Sequence, residues 1–476
     1  MILAGGRRAA VAALAFAALL GGCKVFETTA PPPQVSAPAA FDQSPPVGAS
    51  MSPEQLARWW TVWGDPAMDR LIAEALSANT DIRIAQARVV EARSVVTIAE
   101  SALSPTLGAN GGVWGGGAQW RNPAVDLVPG GSHEFDAHLA GLTASWEPDI
   151  FGGRADDAEA ARASALSVDE QLNGARMIVV AEVAENYLEA RGLQRRLAAL
   201  DGSIAAMEQL LRYVQARFDA GQAQAYDVTQ VRERLETQRG KRPALVSLLE
   251  TRQRRLAVLT GRPPETASRQ SNPGPFATPG PPAGQMPADV LERRPDVRAR
   301  AALLRAQAAR LSSAKTDLLP RFQINFLGGD GRLHFEGVPG LQGTGGLAGL
   351  TVQLPIFTAG RIEANIAAND ARLEAAAADY DKAVLAALED VENAYGHRRG
   401  LDQRGATLAA ALANARRNQR ASAGLYEGGS RTLADVLNAR LDAFEREDEL
   451  IQTQMGQAAA TVQLYRSLGG GWERGG

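Results

Sequence analysis

Cysteine is almost absent. The 476-residue chain has a single one, Cys23, so no disulfide can form within it. Histidine is scarce, with four in all, and no helical stretch carries a His/Glu cluster at metal-binding spacing. Aromatic residues make up 5% against a hydrophobic content of 45%, so the apolar mass is Ala, Leu and Val. That composition suits long helices better than a sandwich of sheets. A net charge of −3 gives no basic field, and nucleic acid is not expected as a partner. No G-x-S-x-G is present. "HEFDAH" (133–138) nearly imitates a zinc-protease motif, but its histidines are five apart in a strand-like or loop-like pattern. "GGDGR" (328–332) opens no helix, has no phosphate-loop lysine, and reads as a turn between strands. No enzyme, metal or cofactor is expected.

Long apolar runs are missing too. "AAVAALAFAALL" (9–20), behind Arg7 and Arg8, is too short to cross a bilayer as a helix and reads as the core of a signal peptide. "LGGC" follows, and small residues before Cys23 resemble the lipobox of bacterial lipoproteins. That resemblance implies cleavage after residue 22 and a covalent lipid on Cys23, with Lys24 compatible with sorting to the outer membrane. Residues 23–52 are proline-rich and read as an extended, unpacked tether.

What is present is repetition. Phe218, Gly221, Asp227 and Val228 recur as Tyr426, Gly429, Asp435 and Val436, each 208 residues on. Asp81, Arg83 and Pro105 recur as Asp296, Arg298 and Pro320, each 215 residues on. "IFGGR" ending at Arg154 returns as "IFTAGR" ending at Arg361. The expected organisation is a first copy over 53–262, a Pro/Gly linker over 263–286 and a second copy over 287–476. Each copy reads helix, two strands, long helix, glycine turn, helix. Pro105 and Pro320 end the first helices. Phe322, Ile324 and Phe326 alternate with polar residues, as do Leu350, Val352 and Leu354, which marks two strands of roughly ten residues. Glycines dilute the same signal after Pro105.

No proline interrupts 155–218 or 362–426, and a helix of that length would run ~95 Å. Leu193, Leu197, Leu200, Ile204, Met207, Leu211, Val214 and Phe218 step as a coiled-coil seam. A matching seam runs from Leu437 to Tyr465, broken only by Asp448. Gly221 and Gly429 then lie at the tips of two antiparallel hairpins. Pro243 should kink or interrupt the return helix of the first. Four strands cannot close a membrane barrel alone, so several chains must pool them.

Over nearly its whole mature length the chain is similar to the TolC-like outer-membrane channel family, in its lipoprotein branch serving resistance-nodulation-division efflux. The resemblance rests on "WWTVWGDPAMDRLIAEALSANTDI" (59–82), "VLERRPDVRAR" (290–300), "TVQLPIFTAGR" (351–361) and "LYRSLGGGW" (464–472). It implies a mainly α homotrimer: a 12-stranded membrane β-barrel on a coiled-coil α-helical barrel, with a mixed α/β belt. It implies an exit duct that meets a periplasmic adaptor and an inner-membrane pump at the two glycine tips. It also implies a gate of Tyr426 and Arg431 with Asp227, and an acidic constriction at Asp435 whose second position here is Asn438. Asp227 read locally is a helix cap, with Gln230 able to complete a capping box. A type I protein-secretion channel is the alternative function.

Overall fold

The structure, a computed structural model, describes residues 25–45, 51–120, 131–267, 278–335 and 339–473. Cys23 and the leader lie outside them. Helices α1 (Pro53–Ala57), α2 (Pro66–Ala78) and α3 (Thr80–Ser101) precede strands β1 (Thr106–Trp120) and β2 (Gly131–Trp146). Helices α4 (Gly153–Asp219) and α5 (Ala225–Leu259) follow. The order then returns: α6 (Pro287–Arg293), α7 (Pro295–Thr316), β3 (Arg321–Phe335), β4 (Leu341–Gln353), α8 (Arg361–Glu427) and α9 (Leu433–Ser467). α4 and α8 each have 67 residues and α5 and α9 each 35.

The chain divides into two compact units. One contains Val90–Ser167 and Arg300–Tyr380 with the described residues up to Pro32. Its centre is a four-stranded antiparallel meander in the order β1-β2-β3-β4. Pairing continues without a slip, from Thr106 opposite Ser145 to Trp120 opposite Gly131, and from Arg321 opposite Gln353 to Leu333 opposite Leu341. The strands are longer than the alternation in sequence implied, at 15, 16, 15 and 13 residues. "GGDGR" is not a turn: it lies inside β3, paired with β2 on one side and β4 on the other. A ladder on both edges outweighs the weak strand preference of glycine. "HEFDAH" lies inside β2. In the same unit, Leu304, Ala308 and Leu311 of α7 pack with Leu373 of α8.

The other unit contains Pro33–Val89, Val168–Ala299 and Asp381–Gly476. Its core joins Trp59, Met68 and Ile72 to Val180, Val183 and Tyr187 of α4, Val391 and Tyr395 of α8, and Val462 and Tyr465 of α9. Trp59 is buried and stacks on Tyr465 at 5.2 Å, so this tryptophan cluster is packing. Asp65 caps α2 through the backbone N–H of Ala67 and accepts hydrogen bonds from Tyr187 (2.8 Å) and Arg191 (2.6 Å) of α4. Along α4 the seam is buried at Leu193, Leu200, Met207 and Val214, while Leu197, Ile204 and Leu211 are half-buried. Every second seam position is therefore the deep one. The break in the α9 seam is filled electrostatically, because Asp448 receives both Nε and Nη2 of Arg196, at 2.7 and 3.0 Å.

α5 runs through Pro243 without interruption. Arg239, whose carbonyl loses its partner there, and Pro243 are both exposed, so water can satisfy the freed group. The tether is not unpacked. Thr28 accepts from Lys315 (3.1 Å) in the first unit. In the second, Glu392 accepts the backbone N–H groups of Asp42 (2.7 Å) and Gln43 (3.0 Å), and Phe41 is buried beside Tyr395. The described part of the linker is docked as well: carbonyls of Pro279 and Pro282 accept from Arg398 and Tyr395.

Candidate gate at the helical tips

Both long helices stop the same way. The N–H of Gly221 donates to Phe218 O (2.9 Å) and that of Gln222 to Arg217 O (2.8 Å). The second turn repeats this with Gly429 on Tyr426 O (3.0 Å) and Ser430 on Leu425 O (2.8 Å). These are Schellman stops, in which the glycine takes a left-handed conformation. The φ values are +69° and +75°, and a Cβ at either glycine would meet nothing within 4 Å. Backbone sign, and not crowding, is what requires glycine here.

The helices that follow start with reciprocal caps. Asp227 is the third residue of α5 and accepts the N–H of Gln224 at 3.0 Å. It is therefore the back-reaching member of the cap and not its first residue, and Gln230 lies beyond it. At α9 Thr432 is the cap: its hydroxyl oxygen accepts the N–H of Asp435 (3.3 Å), and Asp435 accepts the N–H (3.0 Å) and hydroxyl (2.8 Å) of Thr432. Thr432 N–H and then its hydroxyl, with a smaller contribution from Arg431, hold the Asp435 carboxyl below the usual carboxylate range.

The three expected gate residues do not meet one another within the chain. Tyr426 accepts a hydrogen bond from Nη1 of Arg217 at 3.1 Å. The guanidinium lies 5.5 Å from the Tyr426 ring and 6.0 Å from that of Tyr213, and the two rings are edge to face at 6.2 Å. Arg431 sits 3.7 Å from Asp435 in its own turn, with both side chains substantially exposed. The Asp435 carboxylate thus has a cation beside it, although an exposed pair at this distance contributes little stability. Beneath the tips, Met207, Leu210, Val214, Val228, Val231, Leu235, Leu433 and Leu437 form a separate apolar cluster, with Tyr426 packed against it.

Sequence reasoning missed Arg217 and Tyr213. The available signal was a basic residue in the last turn before a glycine stop, four residues after a tyrosine on the same helical face. Among the described residues no group of His, Cys, Asp or Glu is placed to hold a metal, and no helix is long and apolar enough to cross a membrane.

A profile of the outer membrane efflux protein family matches residues 71–262 and 286–470. The pyoverdine export outer membrane protein OpmQ of Pseudomonas aeruginosa is 30% identical over 470 residues, covering 96% of this chain and 95% of the relative. The toluene efflux pump outer membrane protein TtgF of Pseudomonas putida is 28% identical, over 87% of this chain and 85% of its own. The outer-membrane channel OprN superposes with a TM-score of 0.84 at 25% identity, over 94% of this chain and all of its own. With the helical hairpins, the strand meander and these matches together, the chain belongs to the outer membrane efflux protein family.

Proposed function

We propose that three copies of this chain, an outer-membrane efflux channel protein and not an enzyme, pool their strands into one 12-stranded barrel, and that the trimer is the exit duct of a tripartite pump. The observation that carries this reading is the sheet. β1 and β4 are its two edges, each paired on one side only among the described residues, while apolar side chains such as Leu107, Leu350 and Val352 are exposed. An open sheet edge is not tolerated in lipid, so closure needs further strands, and β1 of one copy can pair with β4 of the next. The similar order of elements before and after the linker supports an internal duplication over 53–262 and 287–476. The names of OpmQ and TtgF favour export of small molecules over protein secretion.

In this duct the tips at Gly221 and Gly429 are the contact points for the periplasmic adaptor and inner-membrane pump. Tyr426, Arg431 and Asp227 form the closure, with Asp435 at the constriction and the lipid on Cys23 anchoring the mature chain. Conductance tests the whole. Purified protein in a planar bilayer should open trimer-sized channels, and cysteines introduced at Leu107 and Val352 should cross-link chains into dimers and trimers. A non-conducting protein whose chains never cross-link would be a periplasmic strut instead. The anchor has its own test: Cys23→Ser should abolish incorporation of labelled fatty acid, and an unmodified amino terminus in the wild type would exclude lipidation.

A further inference from the structure

The two faces of the sheet exchange polarity half-way along the strands. Side chains alternate between faces, and the register lines them up in rows across the four strands. Near the strand bases one face carries Leu107, Leu142, Phe322, Ile324, Leu350 and Val352, while the other carries Thr106, Thr143, Ser145, Asn325, Thr351 and Gln353. Beyond a glycine-rich middle the assignment reverses. The first face now shows the row Val113–His138–Arg332–Gln342, and the second the row Trp114–Ala137–Leu333–Leu341. Phe135 and Leu139 flank that second row on the same face.

No bulge accompanies the reversal, because the pairing advances residue for residue through it. A face that points outward at the base therefore points outward at the far end too. The exposed apolar surface of the base continues past β4 at Leu354, Ile356 and Phe357, so in the pooled barrel the apolar base face is the one that meets lipid and the polar base face lines the lumen. The far half then turns His138 and Arg332 outward and lines the lumen with Trp114, Phe135, Leu139, Leu333 and Leu341. Glycines shape this lining. The Trp114 ring lies over Gly112, where a Cβ would come within 2.5 Å of it, and Phe135 lies over Gly116 at 3.0 Å. The rings thus lie flat along the wall and leave the lumen open. Among the described side chains of this inner patch none is charged or carries a hydrogen-bonding group beyond the Trp114 indole.

We propose that this patch, repeated in three copies, is an apolar collar at the outward end of the barrel that binds uncharged aromatic solutes on their way out. The inference rests on the pooled-barrel reading above. A wall without charge, whose one hydrogen-bonding side chain per copy is the Trp114 indole, offers little to a polar solute, whereas flat rings offer an aromatic solute both burial and stacking.

The experiment is block of conductance by N-phenyl-1-naphthylamine, added to the outer side of a planar bilayer holding the full lipidated protein. Wild type should be blocked with a measurable half-blocking concentration, and W114S/L341S should need at least tenfold more probe. V113S, on the opposite face of the same region, should be blocked like wild type, and W114F should retain block. Each variant is first checked for a heat-stable trimer and wild-type open conductance. Equal block in wild type and W114S/L341S overturns the collar and leaves the channel standing, as does a weakening by V113S of similar size. A wild type that forms no conducting trimer overturns the channel reading itself, and the collar with it.

Discussion

The turns at Gly221 and Gly429 have one backbone and two chemistries. Both end a 67-residue helix in a Schellman stop and both start a 35-residue helix with an aspartate at its third position. Their side chains then diverge. The first turn sends Arg217 across to Tyr426 of the second, whereas the second keeps Arg431, Thr432 and Asp435 to itself. Glycine and a reciprocal cap are enough to build the turn, and they leave the charged residues free to differ. The residue that ties the two hairpins together, Arg217, corresponds to Leu425 in the second. The contact between the two hairpins within one chain is therefore asymmetric.

Removing that asymmetry should have the largest effect. Arg217→Leu should free the Tyr426 ring and raise single-channel conductance severalfold, and Arg431→Leu should raise it less. Tyr426→Phe added to Arg217→Leu should then change little, because the hydrogen bond is already gone. Equal conductance in Arg217→Leu and wild type would show that the Arg217–Tyr426 contact does not hold the tip.

The shared backbone makes a prediction of equality instead. Gly221→Ala and Gly429→Ala should each cost about 1–2 kcal/mol of local stability, since an L-residue is forced into the left-handed region. Hydrogen exchange at the two tips reads this, and a clear inequality would mean that the turns are not equivalent. Thr432→Val should cost about 1 kcal/mol at the start of α9 by the same measurement, as loss of a cap does. At α5 no such hydroxyl exists to remove, because Gln224 stands at the cap position.

The smallest effect is that of pH. The Asp435 carboxyl lies below its ordinary value of 3.8 in the folded chain. A lowered carboxylate contributes stability that is complete above the unfolded value and is lost as pH falls through the folded one. Exchange at the second tip, corrected for the intrinsic rate, should thus be flat between about pH 7 and about pH 5 and rise only below 3.8. A rise already near pH 5 would point to repulsion among three Asp435 carboxylates, whose mutual charge raises the pKa, and would support the acidic ring.

Legibility in the sequence followed the reach of each signal. The long helices were readable to within about two residues, because no proline interrupts either of them over that length. The β3 strand was read at two-thirds of its true extent for a specific reason. Phe322, Ile324 and Phe326 alternate in one phase, and Leu333 carries the pattern on in the opposite phase, so a single period-two search stops at the glycines between. The tether was misjudged because proline content excludes helix and ladder but says nothing about docking. Phe41 and the carbonyls of Pro279 and Pro282 found partners on α8 regardless. At the tips, Gly221, Gly429, Asp227, Asp435 and Tyr426 stood out by repetition and Arg431 by resemblance to the family, whereas Arg217 stood out by neither, since its counterpart is Leu425.

By itself the sequence determined the element order, the family and the two stops, because each depends on local backbone chemistry or on patterns many residues long. The tertiary structure decided which charges face which. Asp448 meets Arg196 and not the seam, Tyr426 meets Arg217, and Asp435 meets its own Thr432 and Arg431. It also decided that one strand face changes character half-way up. Such pairings depend on distances of a few ångströms between residues separated by up to about 250 positions, and no pattern along a chain carries that information.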